Sequence, residues 1–299
     1  MIRTDELTRR FGDVLAVDCL TLTIDDGEVF GLLGPNGAGK TTTLRMLSGL
    51  IGISGGRAIV DSLDVGVPEH AERVRARLGL LPEENGLYPD LTAWQTLDFY
   101  ARLHHVRNRR QRVGDLLERL DLGHRAHSPV STFSKGMKQR LAIARALVNE
   151  PRLVFLDEPT ANLDPQASLD IRDVIRELQQ RGCTVIINTH RLDEAERTCD
   201  RIGILRTQLL RVARPRELNQ RAAVVIDVDS SVDLQDALQS AARGSVERLA
   251  NSYRIILGEG VSVPDVVAAA VHAGGRIAGV RPERTTLEDL YLEAMADAR

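Results

Sequence analysis

Two short stretches carry residue types that could act together on a phosphate ester. Residues 34–42 read GPNGAGKTT, in which Gly34, Gly39, Lys40 and Thr41 match the spacing G-x-x-x-x-G-K-[ST]. Glycines so placed let a backbone turn until successive N–H groups point inward at phosphate oxygens, and a helix starting near Lys40 adds the positive end of its dipole. Gly34, Pro35, Asn36, Gly37, Ala38, Gly39, Lys40, Thr41 and Thr42 therefore form a candidate nucleotide-phosphate site. Lys40 reaches β- and γ-phosphates as a point charge, and the Thr41 hydroxyl ligates Mg²⁺. Residues 153–160, LVFLDEPT, end an apolar run on two carboxylates. Asp157 is suited to hold Mg²⁺, directly or through water, and Glu158 to orient and deprotonate an attacking water. Read singly, these stretches are a glycine-rich turn and an acidic strand end; together they suit binding a nucleotide's phosphates beside Mg²⁺ and a water. His190 closes the apolar run TVIINTH. Alone it is a polar strand end, and beside the other two motifs it becomes a candidate γ-phosphate sensor.

These groups must be held by strands and helices. Glu28–Leu33, Arg152–Leu156 and Thr184–Asn188 are short, apolar and β-branched, and each leads through a polar or glycine-containing turn into a helical pattern. Such alternation predicts α/β layering, with ligands gathered at the carboxyl ends of the strands. Thr92–His105 reads as a helix with Leu97, Tyr100 and Leu103 at helical spacing, and Ser134–Val148 reads as another. Beyond residue 220 the character changes to strand, helix, two strands, helix, strand and a terminal helix, the βαββαβ order of a split βαβ unit. The expected division is residues 1–220 and 221–299, the second a small α+β domain.

Composition narrows the function. The chain has 299 residues, 43% hydrophobic and 27% charged, so it is neither disordered nor collagen-like. A net charge of −3, from 39 basic and 42 acidic residues, argues against binding nucleic acid through bulk charge. Cys19, Cys183 and Cys199 are an odd, unclustered set, fitting a reducing cytosol rather than a disulfide scaffold or zinc ribbon. No run is apolar enough for a spanning helix, and MIRTDELTRR lacks the apolar core of a secretory signal. Only Lys40, Lys135 and Lys138 among the basic residues are lysines; the rest are arginines.

The assembled motifs resemble the nucleotide-binding subunits of ABC transporters over about residues 1 to 220. GPNGAGKTT resembles the Walker A loop and LVFLDE the Walker B strand; FSKGMKQR (Phe133–Arg140) resembles the signature that separates this family from other P-loop ATPases. Asn162, Leu163 and Asp164 resemble the D-loop, and His190 the switch histidine. Phe11 stands where the family stacks an aromatic on adenine, and an ordinary core phenylalanine is the other reading of it. The signature departs from LSGGQ: Ser134 and Gly136 remain, while Lys135 and Met137 replace a glycine and a glutamine. Glu83, in LPEENGLYPDL, replaces the Q-loop glutamine. It can still hold Mg²⁺ or water but adds negative charge beside the phosphates.

The resemblance implies an α/β, P-loop ABC-type nucleotide-binding domain with a helical signature subdomain. It implies ATP and Mg²⁺ as ligands, and a second copy placing its Ser134 and Gly136 against this chain's phosphate loop. The variants and the C-terminal domain resemble the branch that exports drugs, antibiotics, polysaccharides or ions, in which a separate membrane-spanning permease is the partner. The chain would then be cytoplasmic, peripheral on the inner face of the membrane, with no nucleic acid bound. Leu87, Tyr88 and Leu91 either contact that permease or pack within the inserted helical region. A non-transport ABC ATPase of DNA repair or translation, and a binding module clamped by ATP with little hydrolysis, are the competing expectations.

Overall fold

The computed structural model describes all residues except 162, 219–221, 230–231, 259, 285 and 298–299. The chain divides into two compact units, Ala213–Glu293 and the remainder formed by Met1–Val212 with Ala294–Arg299. The boundary expected at residues 220 and 221 falls outside the described residues.

The larger unit holds two sheets. β1 (Ile2–Phe11), β2 (Val14–Ile24), β4 (Gly55–Val60) and β5 (Leu63–Asp64) form an antiparallel sheet in the order β2-β1-β4-β5. The second sheet contains β3 (Val29–Leu33), β6 (Leu78–Leu81), β7 (Leu153–Asp157), β8 (Thr184–Thr189), β9 (Arg201–Arg206) and β10 (Gln208–Ala213), in the order β10-β9-β3-β8-β7-β6. Its pairs β3–β8, β3–β9, β7–β8 and β6–β7 are parallel. Every residue of β3 and β8 is buried, as expected of central parallel strands covered on both faces. One buried cluster joins Ile2, Leu20 and Val60 of the first sheet to Phe30, Phe155 and Ile186 of the second and to Leu44 and Leu47 of α1 (Lys40–Leu47). Each such side chain contributes about 1.5–3 kcal/mol on leaving water.

α2 (Pro68–Arg77) precedes β6; α3 (Ala93–Leu103), α4 (Arg109–Arg119) and α5 (Lys135–Ala146) fill the interval between β6 and β7; α6 (Pro165–Gln180) precedes β8 and α7 (Leu192–Thr198) follows it. α3 begins at a reciprocal cap in which Gln95 N donates to Thr92 Oγ1 (3.1 Å) and Thr92 N to Gln95 Oε1 (2.9 Å). Leu97 is buried, but Leu103 is 61% exposed and does not share its face. Each three-residue step lags a full helical turn by about 60°, so a second step carries Leu103 round to solvent.

The smaller unit reproduces the βαββαβ order. After the short α8 (Pro215–Leu218) come β11 (Ala222–Val228), α9 (Gln235–Ala242), β12 (Val246–Arg248), β13 (Ser252–Ile256), α10 (Val263–His272), β14 (Ile277–Arg284) and the start of α11 (Leu287–Asp297), whose residues from Ala294 group with the larger unit. The strand order β12-β13-β11-β14 is antiparallel throughout, with β13 inserted between β11 and β12. Val224, Ile226, Tyr253 and Ile255 pack with Leu234 and Leu238 and with Val266 and Ala270 in its core.

Candidate functional site

The phosphate loop leaves β3 at Gly34 and enters α1 at Lys40, as the sequence suggests. Two of its glycines are obligatory here. A Cβ on Gly34 would lie 2.2 Å from Leu205 O, and one on Gly39, at φ +94°, would lie 2.3 Å from Ala16 O. The loop is also strapped from outside, because Thr207 N donates to Ala38 O (2.9 Å). Lys40 is buried, and its Nζ donates to Gly34 O (2.7 Å) and Pro35 O (3.0 Å). The ammonium thus sits inside the loop that would wrap a phosphate. Burial lowers the Lys40 pKa, and Glu158, Asp157 and Glu83 oppose that shift.

β7 delivers the two carboxylates. Thr41 Oγ1 donates to Asp157 Oδ2 (2.9 Å), joining the start of α1 to the end of β7. Asn188, from the neighbouring strand β8, donates to Thr41 Oγ1 (3.2 Å) and to Asp157 Oδ1. Sequence reading missed Asn188; its only signal was a polar residue closing an apolar strand. Burial raises the Asp157 pKa; Thr41 and Asn188 oppose this by hydrogen bonding, while Glu83 and Glu158 add to it. Asn188 Oδ1 is buried without a partner among the described residues. A convergence of hard oxygens, a hydroxyl and a carboxylate 2.9 Å apart with a spare amide oxygen nearby, fits Mg²⁺.

Glu158 has φ +50°, a conformation uncommon outside glycine that is held by Glu158 N donating to Asn188 O (2.9 Å). Its Oε1 lies 2.7 Å from His190 Nδ1. Where the carboxylate oxygen accepts, the ring donates from Nδ1. Glu158 Oε2 is buried and has no partner among the described residues. One oxygen is therefore anchored by the histidine and the other is spare, an arrangement suited to holding a water. Beside His190, Arg191 N donates to Thr189 Oγ1 (3.1 Å) and Thr189 Oγ1 to the buried Glu194 Oε2 (2.8 Å), which fixes the histidine's backbone.

Ser134 caps α5, accepting from Met137 N at 3.2 Å, and is exposed. A Cβ on Gly136 would meet nothing closer than Ala167 Cβ at 3.5 Å, ordinary contact. Packing within this chain does not demand a glycine there. Asp164 caps α6 by accepting from Ala167 N (2.8 Å), and Leu163 borders the carboxylate cavity; Asn162 lies outside the described residues. Phe11 is 45% exposed under the Arg9 guanidinium, 4.3 Å from its ring centre, so the core reading fails and a ring face near the surface remains. Glu83 follows β6, is exposed, and lines a cavity of about 410 Å³ with Asn36, Glu158 and His190. The structure thus brings Lys40, Thr41, Asp157, Glu158, His190 and Glu83 to the ends of adjacent strands. It leaves Phe11 on the β1–β2 hairpin, and Ser134 and Gly136 at an exposed helix start.

A phosphate loop, a hydroxyl–carboxylate pair and a second carboxylate anchored by histidine define a nucleoside triphosphatase of the P-loop class. The family model described as ABC transporter matches residues 17–161. The daunorubicin resistance ATP-binding protein DrrA3 of Streptomyces coeruleorubidus is 36% identical over 100% of this chain and 96% of its own length. The linearmycin resistance ATP-binding protein LnrL of Bacillus subtilis is 37% identical over 69% of this chain and 66% of its own. A dimeric ATP-binding cassette solved after hydrolysis, bound to ADP and Pi, superposes with a TM-score of 0.67 at 26% identity, covering 72% of this chain and 99% of that one. The chain belongs to the ABC transporter family, as an ATP-hydrolysing subunit that powers transport.

Proposed function

We propose that two copies of this chain close around two ATP molecules and that this cycle drives an export permease. The observation that carries the reading is the contrast between glycines: Gly34 and Gly39 are required by their own chain, whereas Gly136, beside the exposed Ser134, is not. A small residue at an open helix start suits close approach by a partner's phosphates. Lys40 would exchange its two carbonyls for β- and γ-phosphate oxygens. Thr41 and Asp157, with Glu83, would hold Mg²⁺, which supplies charge neutralisation on those oxygens. Glu158 Oε2 would accept the proton of the attacking water while His190 keeps Oε1 in place, and Phe11 would stack on adenine.

Loss of the γ-phosphate would remove what bridges the two copies, so the dimer would reopen. Leu87, Tyr88 and Leu91 would carry that motion to the permease; Tyr88 is 57% exposed. Among the described residues no helix is long and apolar enough to cross a membrane, so attachment to its inner, cytoplasmic face would come through that partner. Resistance to an antibiotic, named for DrrA3, supports a drug-like cargo. The C-terminal unit, taken as residues 221–299, would support or regulate the dimer.

The test is Glu158→Gln with ATP and Mg²⁺. General bases contribute about 10²–10⁴-fold, so hydrolysis should fall by that factor while a stable dimer appears in size-exclusion chromatography. Hydrolysis at the unaltered rate, or a chain that stays monomeric with ATP bound, would overturn the reading.

A further inference from the structure

Two of the three lysines in this arginine-rich chain stand on α5, and the ATP cycle above uses neither. Lys135 and Lys138 line the cavity of about 410 Å³ that also receives Asn36 of the phosphate loop, Glu83, Glu158 and His190. Their placement is fixed by the helix that carries them. Near its far end, Arg145 Nη1 donates to Asn85 O (2.6 Å), two residues after Glu83. At its middle, the buried Gln139 Nε2 donates to Pro159 O (2.7 Å), one residue after Glu158. One rigid helix is thereby pinned to the backbone beside each of two carboxylates, with its lysines facing the space between them.

The charges in that space need balancing. Glu83 acts electrostatically on both Lys40 and Asp157, so its negative charge is felt where the phosphates would lie. Before Mg²⁺ is bound, it makes with Asp157 and Glu158 three carboxylates around an anionic substrate. Lysine suits the compensating role better than arginine, because a guanidinium would clamp a carboxylate through a bidentate fork, whereas an ammonium remains a mobile point charge.

We infer that Lys135 and Lys138 are positioning residues that counterbalance Glu83 within the same chain, so that ATP can enter a site carrying three carboxylates. The inference rests on the ATP-site reading. The signature lysines then offset the Q-loop glutamate, and losing them is costly while Glu83 remains.

The experiment is isothermal titration of ATP, in EDTA, into the full chain and into Lys135→Gln/Lys138→Gln, Glu83→Gln and the triple variant. Unit charges about 8 Å apart at an effective dielectric of about 80 are worth two- to threefold each, so losing both lysines should weaken ATP binding about five- to tenfold. Adding Glu83→Gln to it should restore affinity to within about threefold of the unaltered chain. Thermal unfolding of each variant separates misfolding from charge, since the triple variant must bind in order to show the rescue. An affinity within about twofold for the double variant overturns the inference, and so does a loss that persists unchanged in the triple variant. Lys40→Ala is run beside them. If it binds as tightly as the unaltered chain, the ATP-site reading falls; if it alone loses binding, only the lysine inference falls.

Discussion

Gly39 offers a sharp quantitative test of how the phosphate loop is held. In Gly39→Ala the new methyl carbon would sit 2.3 Å from Ala16 O and 3.0 Å from Val17 Cγ2, on a residue at φ +94°. The positive φ costs an alanine about 1–2 kcal/mol, and forcing a methyl into packed surroundings adds about 1–3 kcal/mol. The loop can relieve this total of about 2–5 kcal/mol only by moving away from β2, which spoils its grip on phosphate. At 1.4 kcal/mol per decade, ATP affinity should fall by roughly 30- to 3,000-fold, measured by calorimetric titration. Gly136→Ala is the matched comparison, since its methyl meets only Ala167 Cβ at 3.5 Å. It should leave ATP binding to a single chain within about twofold, yet slow hydrolysis at least about tenfold, because its obstruction is met only by a partner. Equal ATP affinity for Gly39→Ala and the unaltered chain would refute the steric reasoning. A loss of single-chain binding in Gly136→Ala would refute the division between the two glycines.

Other outcomes follow from neighbouring contacts. Asn188→Ala removes both amide donations to Thr41 and Asp157 and should raise the Mg²⁺ needed for half-maximal hydrolysis by about 10–100-fold; an unchanged requirement would count against its role. Burial raises the Glu194 pKa above its usual 4.5. Between 4.5 and the raised value the folded chain keeps a proton the unfolded chain has lost, so stability falls as pH rises through that window. Glu194→Gln should therefore gain Tm relative to the unaltered protein as pH climbs through the window, with no gain below it; a pH-independent difference would be evidence against this. Leu238→Ala, at a fully buried position in the smaller unit, should cost that unit about 2–5 kcal/mol in urea unfolding, and a loss below about 1 kcal/mol would contradict its place in the core.

What the sequence discloses here is chemistry that is local along the chain. The phosphate loop and the Asp157–Glu158 pair each sit at the end of an apolar run, so strand, turn and function could be read together, and β3, β7 and β8 lie within a residue of their expected bounds. The βαββαβ order was legible because its elements are short and cleanly separated by turns. The antiparallel sheet was not: β1 reads IRTDELTRRF, and register shifts between Thr4 and Leu7 and between Leu7 and Arg9 break the period-2 alternation that would have marked it. Convergence of distant residues was hidden for a different reason. Nothing near Asn188 announces Thr41, and nothing in FSKGM announces that its lysine would share a cavity with Glu83; such proximity exists only once the parallel sheet has fixed which strand ends are neighbours.

Across the sheet the strand ends run β3, β8, β7, β6 and carry, in that order, the Gly34–Thr42 loop, His190, Asp157 with Glu158, and Glu83. Their spacing is set by ladder hydrogen bonds at about 4.8 Å per strand, not by the lengths of chain between them. Of the helices in those intervals, α2, α3 and α4 carry none of these groups and can therefore be lengthened, shortened or exchanged while the row keeps its pitch. Variation that adapts this subunit to new partners can accumulate in the excursions without retuning the chemistry at the rim.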